Sequence, residues 1–354
     1  MSTADEEARK IAIEYASGAV LPMVVKAAVE LDLFQLIHNA GRISAAELAA
    51  QLPTSNPSAA ATLEKILRLL TGHSILSCEG GDERRYALSP VGKFFIKNEE
   101  VGSCCAASLM TQDKVLMESW YHLKDAVLEG GIPFERAHGM SIFEYASKEP
   151  RLSKVINEAM AESVFMYKKL MEVYNNFEGI GSVVDVGGGT GALLSIIISN
   201  NPSIKGINFD LPHVVQQAPS YLGIEHVGGD MFASVPKGDA ILMKVHYKLH
   251  YNVLHNWDDE KCVKILKNCK ESLSENGKVV IVESVLLENP KSGETAVELL
   301  NLLMWSYNPG GKERTETEFR ILGKQAGFQG FRKVCCAAGS WFMEFYNSSA
   351  EFPI

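Results

Sequence analysis

Three acids and three glycines in the middle of the chain have the types and spacing to hold a polar small molecule. Asp185 precedes Gly187, Gly189 and Gly191 in the run Ser182-Val-Val-Asp-Val-Gly-Gly-Gly-Thr-Gly191, and Asp210 and Asp230 follow downstream. Glycines let a backbone turn tightly and approach a ligand closely. The free N–H groups of the following helix suit an anionic or strongly polar group. The turn alone reads as a nucleotide-type cofactor site on a doubly wound α/β sheet, with a dehydrogenase as the obvious rival. The acids separate the two readings. Asp210, at the end of a second strand, can accept from both ribose hydroxyls. Asp230, after Gly228–Gly229 at the third strand, is placed for an adenine amino group, and Asp185 for an ammonium group. A pyrophosphate would be repelled by that set. S-adenosylmethionine, with an adenosine, an amino-acid end and a sulfonium, fits it.

A proton acceptor is harder to choose by type. His255 is one of nine histidines and stands beside Trp257 near a helix start. Imidazole, with a reference pKa of about 6.5, accepts protons near neutrality. Asp258, Asp259 and Glu260 suit the acidic first turn of a helix, and Lys312 and Arg314 read as ordinary surface charges.

The elements that must carry these residues follow from periodicity. Val183, Val184 and Val186 predict a buried strand over 182–186, and the apolar run Ala192–Ile198 a helix. Strands are expected over 205–209, 224–228, 239–244 and 278–284, with helices over 212–218 and 258–273. That alternation predicts a mainly parallel sheet covered by helices. Helices over 295–307 and 316–326 and a hairpin of 331–336 with 341–346 end the chain. Upstream, 6–36 reads as helices broken at Gly18 and Pro22. Ser44 can cap 45–51, with Glu47 in the capping-box position. A helix over 59–70 and a hairpin around Gly80–Gly81 complete a winged-helix unit. Its second helix offers only Lys65 and Arg68 beside Glu64, which suits a scaffold or dimerisation module better than base readout in DNA. Residues 101–175 are helical and rich in Met and aromatic residues, among them Met110, Met117, Trp120, Tyr121 and Phe143. Most are expected in the core, with some lining a flat apolar cavity. The expected division is 1–100, 101–175 and 176–354.

A net charge of -9 argues against a phosphate-binding surface, and 46% hydrophobic with 22% charged residues describes an ordinary folded chain. The N-terminus is polar and acidic, no apolar run is long enough to cross a membrane, and cytoplasm is the expected location. Seven Cys without a CxxC pair give neither a disulfide framework nor a zinc site.

Taken together, the motifs resemble the plant small-molecule O-methyltransferases of the caffeic-acid/catechol type along nearly the entire chain. They are Asp185-Val-Gly-Gly-Gly-Thr-Gly191, Asp210-Leu-Pro212, Gly229-Asp-Met-Phe232, His255-Asn-Trp-Asp-Asp-Glu260 and Asn308-Pro-Gly-Gly-Lys-Glu-Arg-Thr315, supported by Leu116-Met-Glu-Ser-Trp-Tyr121. The resemblance implies a Rossmann-like class I methyltransferase domain with an N-terminal α-helical winged-helix dimerisation domain, acting as a homodimer. It implies S-adenosylmethionine as methyl donor, S-adenosyl-L-homocysteine as product, no metal, and neither nucleic acid nor membrane as partner. Asp185, Gly187, Gly189, Asp210, Leu211, Asp230, Met231 and Lys244 become cofactor contacts. His255 becomes the general base, flanked by Glu283 and Glu313. Met110, Thr111, Met160, Met304 and Asn308 fall on the side of a phenolic or catecholic acceptor.

The chain departs from that pattern in places. The connection from Lys244 to His255 is several residues longer than the family's usual Met-Lys-Trp-Val-Leu-His, which makes His246 and His250 alternative bases. Asn256 stands where an Asp is usual. Thr111, Ala146, Leu152, Ile156 and Ser163 replace usual Asn, His, Phe, Phe and His. Such a pocket has fewer aromatic walls and polar handles, so the acceptor is expected to be bulkier than caffeic acid or differently oriented. Two other functions share these motifs: methyl transfer to an amine, and a non-catalytic winged-helix scaffold that senses the cofactor.

Overall fold

The computed structural model describes residues 2–96, 102–161, 169, 171–244, 253–337 and 339–347. The chain divides into two compact units, Met1–Met117 with Lys154–Glu162 and Glu118–Ser153 with Ser163–Ile354.

The first unit begins with helices Thr3–Ala16, Val20–Glu30 and Leu33–Ala40. The expected break at Pro22 does not occur. Pro22 lies in the first turn of Val20–Glu30, where its missing N–H would have no helical partner. The chain breaks instead at Leu31–Asp32, where Asp32 takes a φ of 57°. Ser44 and Glu47 form the expected reciprocal cap of Ala45–Gln51. Helix Ala59–Gly72 and the antiparallel strands β1 (Leu76–Glu79) and β2 (Arg85–Leu88) follow, over a core that includes Phe34, Leu48, Leu67, Leu70 and Tyr86.

The second unit is built on a seven-stranded sheet. Its strands are β3 (Ser182–Val186), β4 (Lys205–Asp210), β5 (Ile224–Gly228), β6 (Gly238–Lys244), β7 (Leu273–Glu283), β10 (Gly330–Ala337) and β11 (Ser340–Tyr346). The short parallel pair β8 (Val285–Leu286) and β9 (Arg314–Thr315) stands apart. The order is β10-β11-β7-β6-β3-β4-β5, parallel from β7 to β5 and antiparallel at β11 and β10. The strand run is apolar because both faces are covered. Val184, Val186, Ile241 and Met243 pack with Ile265 and Leu266 on one face, while Val183 and Leu242 pack with Leu193, Leu194 and Ile197 on the other. The order reverses between β3 and β6, which is where open α/β sheets place ligands.

Buried Glu344 on β11 accepts from Tyr174 Oη at 2.6 Å, Asn176 Nδ2 at 2.7 Å and Lys278 Nζ at 2.8 Å, which ties the segment before β3 to the sheet. Trp120 meets Tyr307 edge-on at 6.2 Å, but Tyr121 and Phe143 are exposed. The expectation that such aromatics are core fails there because neighbours on a short helix point in different directions. Among the described residues no single helix is long and apolar enough to cross a membrane, and Thr3–Ala16 with Val20–Glu30 qualifies only as a pair bent by 53°.

Candidate active site

The expected cofactor residues gather at the C-terminal ends of four neighbouring parallel strands. Leaving β3, the chain passes through Gly187, Gly189 and Gly191 with φ values of 70°, 59° and 81°, and enters helix Ala192–Asn200. These angles strain any residue with a Cβ. The Gly187 N–H donates to Phe209 O at 2.9 Å, and the Gly189 N–H to Asp210 Oδ2 at 2.8 Å. The other Asp210 oxygen accepts the N–H of Leu211, which is exposed. Asn208 closes the turn from below, donating to Gly189 O at 2.9 Å and hydrogen-bonding His226 Nδ1 at 3.0 Å. Sequence reasoning passed over both residues, although an Asn among the apolar residues of β4 was a usable signal. At the end of β5, exposed Asp230 accepts from the Phe232 N–H in a local turn. Met231 is held through its carbonyl by Asn268 Nδ2 at 2.7 Å.

Asp185 and Lys244 form a buried ion pair across β3 and β6, with Nζ 2.8 Å from Oδ2. Burial raises the Asp185 pKa and the Lys244 charge opposes that rise. The other oxygen, Asp185 Oδ1, is buried without a hydrogen-bond partner among the described residues. An orphaned carboxylate oxygen beside an open glycine turn fits a ligand with an ammonium end. The acid-rich surroundings fit S-adenosylmethionine, which carries no phosphate, in the same way.

The second group sits beyond β6 and β7. Leu254–Asn256 is a short 3₁₀ turn, and its His255 is buried. His255 Nδ1 lies 2.7 Å from Glu313 Oε1, and Glu283 Oε1 accepts the Leu254 N–H at 3.2 Å. The ligating atoms of His255, Glu283 and Glu313 lie within 4.8 Å of one another, a spacing that could hold a metal ion, and among the described contacts of the three only the His255–Glu313 pair is within hydrogen-bond distance. Burial holds His255 down at about 4, with Glu283 opposing and Arg314 reinforcing the shift. Burial likewise pushes Glu283 and Glu313 up to about 8. The desolvated trio therefore resists carrying several charges at once.

Arg314 is the main departure from the sequence reading. It is fully buried, donating to the carbonyls of Leu254 and Trp257 and to Asp259. Nothing in its composition or spacing marked it out, since an Arg beside Lys312 reads as solvated. Asn308 donates to Asn256 Oδ1 at 3.1 Å, and fully buried Met304 lies one turn earlier on the preceding helix. In the first unit Met110 is buried and the Thr111 hydroxyl donates to Ala107 O at 2.9 Å. Met160 belongs to helix Pro150–Ala161, with its side chain outside the described set. Ser163, His246, His250 and the whole 245–252 insertion lie outside the described residues.

Comparison with known proteins agrees with this architecture. Residues 120–329 match the model of an O-methyltransferase domain, and 13–98 that of an O-methyltransferase dimerisation domain. Caffeic acid 3-O-methyltransferase of Catharanthus roseus is 56% identical, over 97% of this chain and 96% of its own length. Esculetin O-methyltransferase of Kitagawia praeruptora is 54% identical, over 96% and 95%. Human N-acetylserotonin methyltransferase, solved in complex with SAM, superposes with a TM-score of 0.73 at 25% identity, over 98% of this chain and 100% of its own. The chain belongs to the plant caffeic-acid-type family of S-adenosylmethionine-dependent O-methyltransferases.

Proposed function

We propose that this enzyme methylates a hydroxyl of a phenolic or catecholic plant small molecule, with His255 as general base. The observation that carries the reading is the 2.7 Å contact between His255 Nδ1 and Glu313 Oε1 in a buried cluster. A proton on Nδ1, donated to Glu313, puts the basic lone pair on Nε2 and fixes the ring plane. Low affinity of the buried ring for a resting proton keeps that lone pair available at neutral pH. A phenol is a poor nucleophile until its proton leaves, and His255 takes that proton. Glu283 and Glu313 then stabilise the imidazolium that forms.

When bound, S-adenosylmethionine supplies a methyl group already activated on a sulfonium. Asp210, Leu211, Asp230 and Met231 would hold its adenosine end, and Asp185, Gly187, Gly189 and Lys244 its amino-acid end. The turn glycines admit close backbone approach, and the Asp185–Lys244 pair fixes the charge beneath them. In the second unit Met304 and Asn308 are proposed acceptor contacts. The relatives named for caffeic acid and esculetin support a catechol-bearing acceptor. The dimerisation domain, together with helix Thr3–Ala16, which buries none of its own residues, supports a homodimer.

The test is a panel of phenolic and amine acceptors with labelled S-adenosylmethionine, followed by product identification. O-methylated catechols are the expected products. Label transferred only to amines, or to nothing, overturns the reading.

A further inference from the structure

We infer that Arg314 is a positioning residue for methyl transfer: its guanidinium grips the turn that carries His255 by a carbonyl on either side of the base. The inference rests on the general-base reading above. The turn is only three residues long, and isolated 3₁₀ geometry is weakly hydrogen-bonded. A base on such a turn needs to be held from outside.

Arg314 supplies that hold from β9. Nη1 donates to Leu254 O at 2.9 Å and Nη2 to Trp257 O at 2.7 Å. Nε and Nη2 also reach Asp259 Oδ1, at 2.9 and 2.8 Å, so the fork is itself clamped in one plane. The neighbouring Lys312 N–H donates to His255 O at 2.9 Å, and Lys312 Nζ to Asp259 Oδ2 at 3.1 Å. Glu283 from β7 and the Cys262 thiol from helix Asp259–Ser272 complete the hold, both on Leu254. All of these groups come from downstream of the turn.

Arg314 serves a second purpose in the same place. Glu283 and Glu313 are two buried acids beside one imidazole, and the charge of the buried guanidinium opposes the rise that burial imposes on both. Lysine cannot replace it. An ammonium is a compact point charge, whereas these acceptors lie around a planar fork.

The test compares R314M, R314K and D259N with H255A in the full-length enzyme. Readouts are kcat, KM for the phenol, cofactor affinity by calorimetry, and rescue by added guanidinium. In R314M, kcat is expected to fall about 100-fold, the scale of a small misplacement of a catalytic group. Cofactor affinity should stay within about two-fold, the pattern of a group that acts on the chemical step. Guanidinium should restore part of the rate, R314K should recover less than wild type, and D259N should lose least. With the cation gone, the acidic limb of the R314M rate profile should move to higher pH. Unchanged kcat in R314M, with H255A inactive, overturns the inference and leaves the base assignment standing. Full activity in H255A overturns the base assignment first. If R314M does not fold, R314K and D259N decide, and wild-type kcat in both overturns the inference.

Discussion

The cofactor end and the proton end of this site lie at the same edge of one sheet but are built by opposite means. At the cofactor end a single continuous stretch does most of the work: strand, glycine turn and helix follow within Ser182–Asn200, and backbone N–H groups set the geometry. At the proton end His255, Glu283 and the adjacent pair Glu313–Arg314 come from three separate segments and meet through buried side chains. The first kind of site, its buried Asp185–Lys244 pair apart, is most sensitive to a Cβ added in the glycine turn. The second tolerates backbone variation nearby but not the loss of one partner. Local sequence encodes the former, and only the finished fold assembles the latter.

Four substitutions would break or sharpen that contrast. The largest effect is expected from H255A, which should lower kcat by about 100- to 10,000-fold, the range for loss of a general base. Calorimetric cofactor binding should be untouched, which separates the two ends. K244M comes next, because it strands the Asp185 carboxylate in the core, and breaking a buried pair from one side costs about 3–5 kcal/mol. Denaturant unfolding should show that loss shrinking as pH falls and Asp185 takes up a proton, and D185N added to K244M should recover part of it.

G188A tests the backbone end directly. Its Cβ would lie 2.0 Å from Asn208 Oδ1 and 3.0 Å from the Asp185 carboxyl carbon. Overpacking of this kind costs about 1–3 kcal/mol, and calorimetry should show weaker cofactor binding while the 255–313 contact stays intact. The smallest effect is on stability against pH in E283Q. Glu283 and Glu313 rise from 4.5 to about 8 on folding, so the folded chain binds more protons than the unfolded one between those values. Stability therefore falls as pH rises through that window. E283Q keeps the acceptor for Leu254 N–H and removes one titration. Its melting temperature relative to wild type should rise from pH 4 to pH 9, and a constant difference would contradict the assigned direction.

What the sequence disclosed follows the same division. Val183, Val184 and Val186 announced the central strand, and the Gly-rich run announced its turn, because both depend on neighbours in the chain. The Ser44–Glu47 cap was legible for the same reason. Pro22 misled because its effect depends on where in a helix it falls, which no local composition reports. Tyr121 and Phe143 misled because hydrophobicity says nothing about which way a short helix faces. Arg314 was invisible because burial of a charge requires acceptors from distant elements. His255 with Glu313 was expected only through the family motifs, since a contact spanning 58 positions leaves no mark on either segment.

Asp185 gives one oxygen to Lys244 and keeps the other shielded from water and unmet among the described residues. A methyl donor that satisfies it acts as a folding ligand as well as a reactant. A ligand that binds only the native chain adds about 2.7 kcal/mol at a hundredfold excess over its Kd. The half-life of the enzyme in a cell would then track the supply of its own donor. At low supply more of the chain would unfold and be open to proteolysis, so capacity for the reaction would fall without any change in the gene's expression.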